Sequence, residues 1–155
     1  SLLLCQQVLA NTSKFDQRND YLAALESLRQ GQIKDFRSQA GKLDDYLLRP
    51  YLDYKYLRNR IASVSNREVL QFINANADLP VTELLHKRWL RELGKRRQWQ
   101  VIRDNSIVTR DTELRCYHLR ALYGTGDIEQ ALDESTALWT QPKSQPKACD
   151  PLFEV

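Results

Sequence analysis

The stretch ALYGTGDIEQAL, Ala121 to Leu132, contains a complete helix-to-helix turn. A helix ends in Leu122-Tyr123, Gly124 and Gly126 supply residues able to take the left-handed conformation, and Ile128 starts the next apolar face. The run resembles the central turn of a tetratricopeptide-type hairpin. A second copy is visible in Leu28-Arg29-Gln30-Gly31-Gln32-Ile33, and Arg97-Gln98-Trp99 fits the same place in a third. The period is not fixed and the copies are degenerate, so they predict an irregular α-solenoid rather than a strict repeat.

The rest of the chain agrees. Tyr21, Leu22, Leu25 and Leu28 form a helical stripe; Leu48, Tyr51 and Leu52 open another; Val69, Leu70 and Ile73 make a third. Leu85, Trp89 and Leu93 follow, then Leu114, Tyr117 and Ala121, and finally Ile128, Ala131, Leu132, Ser135, Leu138 and Trp139. No segment alternates convincingly, so the expected fold is all-α with no sheet. Breaks at Gly31, Ser63 to Asn66, Asn76 to Pro80, Asp104 to Asp111 and Gly124 to Gly126 are short and polar, as between antiparallel neighbouring helices. Carboxylates at expected helix starts, Asp16, Glu68, Asp127 and Asp150, favour the helix dipole.

Composition fits a globular, helix-rich domain. Of 155 residues, 42% are hydrophobic and 28% charged, with no Met, five Gly and five Pro. The net charge of +3 comes from 23 basic and 20 acidic residues, well mixed, which gives little support to a nucleic-acid partner. The densest basic run, His86-Lys87-Arg88 with Arg91, Lys95, Arg96 and Arg97, is interrupted by Glu92 and reads as a solvated helix face.

Residues 1–10, SLLLCQQVLA, read as the tail of a secretory signal, with residues 11–155 as the domain. Leu4 before Cys5 argues against lipidation, and the alternative is a short buried helix that the domain keeps. Removing Cys5 leaves Cys116 and Cys149, which have one intramolecular pairing and would form a disulfide in an oxidising compartment. With no CxxC spacing and only His86 and His118 as imidazoles, neither a metal site nor a cofactor site is expected.

Chemistry is hard to find. Phosphate loops, HExxH and Gly-x-Ser-x-Gly are absent. His118 beside Cys116 could suggest a thiol nucleophile, but positions i and i+2 do not face each other on a helix. Four of the seven tyrosines, Tyr46, Tyr51, Tyr54 and Tyr56, crowd into one segment. They suit packing between helices, or a surface for glycan or a neighbouring domain.

YLLRPYLDYKYL, Tyr46 to Leu57, and LWTQPKSQPKACDPLFEV, Leu138 to Val155, resemble stretches near the N-terminus of the soluble lytic murein transglycosylases. The likeness runs from about Gln17 to the end and includes Trp89 to Trp99 and Cys116. It implies an exported periplasmic protein whose N-terminal superhelical domain forms a ring with a C-terminal, lysozyme-like catalytic domain. That domain cleaves between N-acetylmuramic acid and N-acetylglucosamine, leaves a 1,6-anhydro ring, and uses one Glu as acid and base. Of the family's catalytic motifs, Glu26-Ser27 and Glu134-Ser135 match only a dipeptide; the Met-containing element and the Tyr-Asn pair have no counterpart.

No catalytic residue carries over. The chain is expected to be a scaffold, inactive by itself, that partners glycan strands and its own catalytic domain, with no membrane-spanning segment. The alternative is a stand-alone helical-repeat adaptor of the cell envelope. In the C-terminal stretch, Pro142 and Pro146 stop the helix through Trp139, Cys149 ties the crossing back to Cys116, and Asp150 caps a helix whose first residue is Pro151 and whose buried face begins with Leu152 and Phe153.

Overall fold

The computed structural model describes the backbone of residues 2–139 and 146–152, and side chains from Lys14 onward except those of Ala137 and Trp139. Eight α-helices follow one another: α1 Leu2–Arg29, α2 Ile33–Ala40, α3 Arg49–Asn59, α4 Asn66–Ala75, α5 Pro80–Lys95, α6 Trp99–Asn105, α7 Thr112–Gly124 and α8 Ile128–Trp139. A 3-10 helix, Lys147–Leu152, closes the described chain. There is no strand among the described residues, and the architecture is the all-helical solenoid that the hairpin turns predict. Most helices pack on the next in sequence, whereas α3 packs on α1 and α5 more than on α4, α5 also meets α7, and the 3-10 helix lies on α7.

The three turns read as one repeat have one backbone solution. Gly31 (φ 74°), Arg97 (φ 56°) and Gly126 (φ 91°) are left-handed. In each turn the following N–H reaches five residues back: Gln32 to the Ser27 carbonyl at 2.8 Å, Gln98 to Leu93 at 3.0 Å, Asp127 to Leu122 at 2.9 Å. The left-handed residue's own N–H reaches three back, to Leu28, Gly94 and Tyr123. This is the Schellman arrangement, which satisfies carbonyls that a helix end leaves unpaired. Five residues after the left-handed position, Phe36, Ile102 and Ala131 are all buried; seven before it, so are Ala24, Leu90 and Leu119. Arg97 therefore holds a conformation that costs an L-residue about 1–2 kcal/mol.

The other starts are capped in their own ways. Ser65 and Glu68 form a reciprocal capping box on α4, Asp111 accepts from the Leu114 N–H at 3.2 Å on α7, and proline opens α3 and α5. Asp127 precedes α8, but its carboxylate is bound to Arg103 at 2.7 Å. Asp16, expected at a helix start, lies inside α1, because that helix runs unbroken through it.

The buried side chains form two cores. The smaller joins α1, α2 and α3 around Ala24, Leu28, Phe36, Leu43 and Leu52. The larger runs from Leu57 through Trp89, Leu93 and Tyr117 to Cys149. Tyr56 packs against both, its ring stacked on Phe36 at 5.1 Å and 7°. Trp89 is 1% exposed, and its indole N–H is satisfied by Asn66 at 3.0 Å, whose amide in turn donates to Gln98 at 2.9 Å. α5 and α7 approach closely at Gly94: a Cβ there would lie 2.3 Å from the Tyr117 ring.

Two apolar stripes are narrower than the spacing suggests. Leu22 on α1 and Ile128 and Leu132 on α8 are about half exposed, because these helices have neighbours on one side only among the described residues. On α8, Ala131, Ser135 and Leu138 carry the buried face.

The C-terminal elbow differs from its expectation. Cys116 and Cys149 form a disulfide, with Cα atoms 5.0 Å apart and both residues buried. Asp150 is not the cap of a helix beginning at Pro151. Both lie inside the 3-10 helix that starts at Lys147, with the Cys149 N–H bonded to the Pro146 carbonyl at 2.8 Å. The tighter helix turns Ala148 and Cys149 onto α7, which a helix begun two residues after the cysteine would not do. Pro142, Phe153 and the side chains of residues 1–13, where the signal-peptide expectation falls, lie outside the described residues.

Three outcomes follow for stability, read by urea unfolding. Arg97→Gly should stabilise by about 0.5–1 kcal/mol, while Gly126→Ala should destabilise by about 1 kcal/mol; equal and opposite signs at the two sites test their common backbone conformation. Gly94→Ala gains up to about 1 kcal/mol of helix propensity but meets the Tyr117 ring, and overpacking of about 1–3 kcal/mol should prevail. Reducing the disulfide, which closes a 33-residue separation, should cost about 3.7 kcal/mol in the loop-entropy model. A urea midpoint unmoved by reductant, or two free thiols in non-reducing mass mapping, would remove that role.

Candidate functional site

The four tyrosines do not form one surface. Tyr46 meets Tyr21 edge-on at 5.7 Å. Tyr56 joins the two cores, and its hydroxyl accepts from the Arg37 guanidinium at 3.2 Å. Tyr54 lies beneath the Arg58 guanidinium at 5.7 Å. Tyr51 borders an open apolar groove of about 490 Å³ between the start of α3 and the α4–α5 connection, beside Leu47, Leu48 and Leu79. The dispersal follows from helix geometry: positions 51, 54 and 56 span less than two turns and leave the axis in different directions.

Three residues of the basic run are ion-paired. Lys87 meets Glu83 at 2.5 Å, Arg96 meets Glu92 at 2.9 Å, and Arg91 bridges Glu113 at 2.8 Å and Asp111 at the start of α7. Arg91 therefore fastens neighbouring hairpins, where the sequence suggested a solvated face. His86 Nε2 lies 2.8 Å from the Asn105 carbonyl, so that nitrogen carries hydrogen, and burial pushes the imidazole below its ordinary range.

A second cavity, of about 230 Å³, lies among α5, α6, α7 and α8. Its floor is apolar, from Leu90, Ile102, Leu114 and Leu119; at its mouth stand Ser106, Arg115, His118 and Glu134. Ser106 Oγ is 2.8 Å from His118 Nδ1, and His118 Nε2 is 3.7 Å from Glu134 Oε2. These are the residue types of a nucleophilic triad, yet the protons are misplaced for one. The single hydroxyl proton of Ser106 goes to the Ile102 carbonyl at 2.8 Å, so Nδ1–H donates to Oγ and leaves the serine unactivated. Glu134 also accepts from Gln130 at 2.7 Å.

Glu26, in the other Glu-Ser pair, is exposed, and hydrogen bonds from Arg29 and Gln30 hold its carboxyl at about 2. A general acid needs the opposite shift. Ser27 and Ser135, the partners in both dipeptides, are buried and donate to Gln39 and the Leu132 carbonyl. Among the described residues no cluster of three or more His, Cys, Asp or Glu could hold a metal ion, and no helix is long and apolar enough to cross a membrane.

Sequence reasoning missed this cavity. Ser106 lies in a segment legible only as a linker, and His118 and Glu134 belong to different helices of a hairpin. The available signal was the hairpin itself, which brings α7 and α8 side by side.

No family model matches the chain. The soluble lytic murein transglycosylase of Salmonella typhimurium is 32% identical over 155 residues, covering 99% of this chain and 24% of that protein. Its namesake in Escherichia coli K12 is 31% identical over the same shares. Among solved structures, the 70 kDa soluble lytic transglycosylase of E. coli superposes with a TM-score of 0.80 at 32% identity, over 89% of this chain and 22% of its own. Its complex with bulgecin A gives 0.81, with the same identity and coverage. An inactive mutant of lytic transglycosylase Slt from Pseudomonas aeruginosa gives 0.75 at 36% identity, over 87% and 22%. With 99% of its sequence matched and 89% of it superposed, the chain resembles the soluble lytic murein transglycosylases along its whole length and spans about a quarter of the length of the curated relatives it matches.

Proposed function

We propose that this chain is the non-catalytic, superhelical scaffold of a periplasmic lytic transglycosylase. The enzyme cleaves the bond between N-acetylmuramic acid and N-acetylglucosamine with formation of 1,6-anhydromuropeptides, and its chemistry resides in a separate C-terminal domain that is this chain's natural partner. The observation that carries the reading is the match along the whole of this chain to a quarter of proteins named for the activity. It is supported by the settings of Glu26 and Ser106, neither of which suits acid or nucleophilic chemistry. The disulfide supports an oxidising compartment, and residues 1–10 are read as the remnant of an export signal.

Of the crowded tyrosines, Tyr51 borders an open apolar groove, so we assign any glycan contact of that segment to it. The decisive measurement is incubation of the purified chain with murein sacculi, followed by analysis of the soluble products. The expected outcome is retention of the chain on the sacculi with no anhydromuropeptide released, and a several-fold weaker retention for Tyr51→Ala, equivalent to roughly 1 kcal/mol. Release of anhydro products would place the catalytic centre within this chain and overturn the scaffold reading.

A further inference from the structure

The cavity among α5 to α8 has at its mouth a cation unpaired among the described residues. Three of the arginines around the hairpins are committed: Arg91 to Asp111 and Glu113, Arg103 to Asp127, and Arg49 to Asp44 and Asp53. Arg115, on α7, has neither an ion pair nor a side-chain hydrogen bond among the described residues, although it is only partly exposed and lines the cavity. The nearby carboxylates are otherwise engaged. Asp111 and Glu113 hold Arg91, while Glu134 accepts from Gln130 with one oxygen and faces His118 with the other.

Beside this guanidinium lies a pit floored by side chains that are at most 4% exposed, Leu90, Ile102, Leu114 and Leu119. The pit opens into a shallower groove along Ser106 to Thr109, where Val108 stands fully exposed. A planar guanidinium matches a carboxylate through two parallel hydrogen bonds. The apolar floor asks for a hydrocarbon arm, and a volume of about 230 Å³, small for a ligand site, limits that arm to a few carbons.

We infer that this cavity is a binding site for a small carboxylate with a short apolar arm, its carboxylate on Arg115 and its arm on the leucine and isoleucine floor. His118 completes the mouth. Its Nδ1 is fixed by Ser106, and Nε2 stays at the opening beside Glu134, where the carboxylate of Glu134 selects against a second negative charge on the ligand. The site is argued from these side chains alone, while the two ligand sources tested below rest on the proposed murein-related function.

Two sources share this chemistry, the free carboxylate end of a peptide and the carboxylate of a lactyl ether. The test titrates the full chain with N-acetylalanine, with 2-methoxypropionate and with the neutral N-acetylalaninamide, following the His118 ring resonances by NMR. The expected result is saturable binding of one or both carboxylates and at least about tenfold weaker binding of the amide, a difference of about 1.4 kcal/mol. N-acetylalanine as the tighter ligand identifies a peptide end, and 2-methoxypropionate as the tighter ligand a lactyl ether.

Arg115→Gln should abolish the carboxylate preference, Arg115→Lys should keep part of it, and Glu134→Gln should strengthen binding. Equal binding of amide and carboxylate, unchanged binding by Arg115→Gln, or no saturable shift with any probe would each overturn the proposal. The amide comparison holds even where a variant fails to fold.

Discussion

The chain must turn back at the end of α1, α5 and α7 without stranding the last carbonyls of each helix. The solution is a single left-handed residue that lets its own N–H and the next one fold back onto those carbonyls. Everything downstream of the turn is then fixed. The residue two places on begins the next helix, the one five places on enters the core, and the two helices are antiparallel neighbours. That Arg97 accepts the same conformation as Gly31 and Gly126, at a cost of about 1–2 kcal/mol, shows how strongly the surrounding packing imposes it.

Hairpins built this way bury only part of their surface, and the remainder must be covered by the next unit. Here the covering is apolar first. The larger core is continuous from Leu57 to Cys149, and Trp89 sits in it with its one polar atom satisfied by Asn66. The arginine pairs between hairpins, Arg91 with Asp111 and Glu113 and Arg103 with Asp127, are about one-third exposed. Pairs so exposed contribute at most about 1 kcal/mol each, less than burying one leucine, so they set register more than stability. The split into two cores meeting at Tyr56 makes α3 the element on which cooperation between the two ends depends.

How far the sequence revealed this varies with the range of the interaction. The hairpins were legible because their determinants are local: Gly31 and Gly126 at helix ends, apolar spacing on either side, Glu68 at a helix start. The pairing of Cys116 with Cys149 was legible because setting Cys5 aside as part of an export signal leaves two cysteines and one partner choice. Asp150 misled, since the same short acidic residue before proline suits an N-cap or the interior of a 3-10 turn, and contact with α7 chose the latter. The tyrosines and the Ser106, His118 and Glu134 cluster were not legible. Both depend on which side chains of different helices meet, and spacing within one helix carries no information on that.

In a solenoid, curvature is set by the angle of each unit on the next, and the last such contact of the described chain is that of the 3-10 helix on α7. The 3-10 helix after α8 is too short to hold a position by its own hydrogen bonds. It is held instead by the disulfide from Cys149 to α7, and by Arg120, whose guanidinium lies over the rings of Trp99 at 4.9 Å and Tyr117 at 5.8 Å and donates to the Ala148 carbonyl at 3.3 Å. Partial burial draws the Arg120 pKa downward, yet an arginine stays charged in proteins, so the cation between the rings persists through the range in which histidines and carboxylates titrate. A covalent bond on one side and a cation fixed between aromatic faces on the other leave the elbow one orientation on α7. That fixed orientation suits the proposed supporting role better than it would suit an active-site loop, which has to open and close.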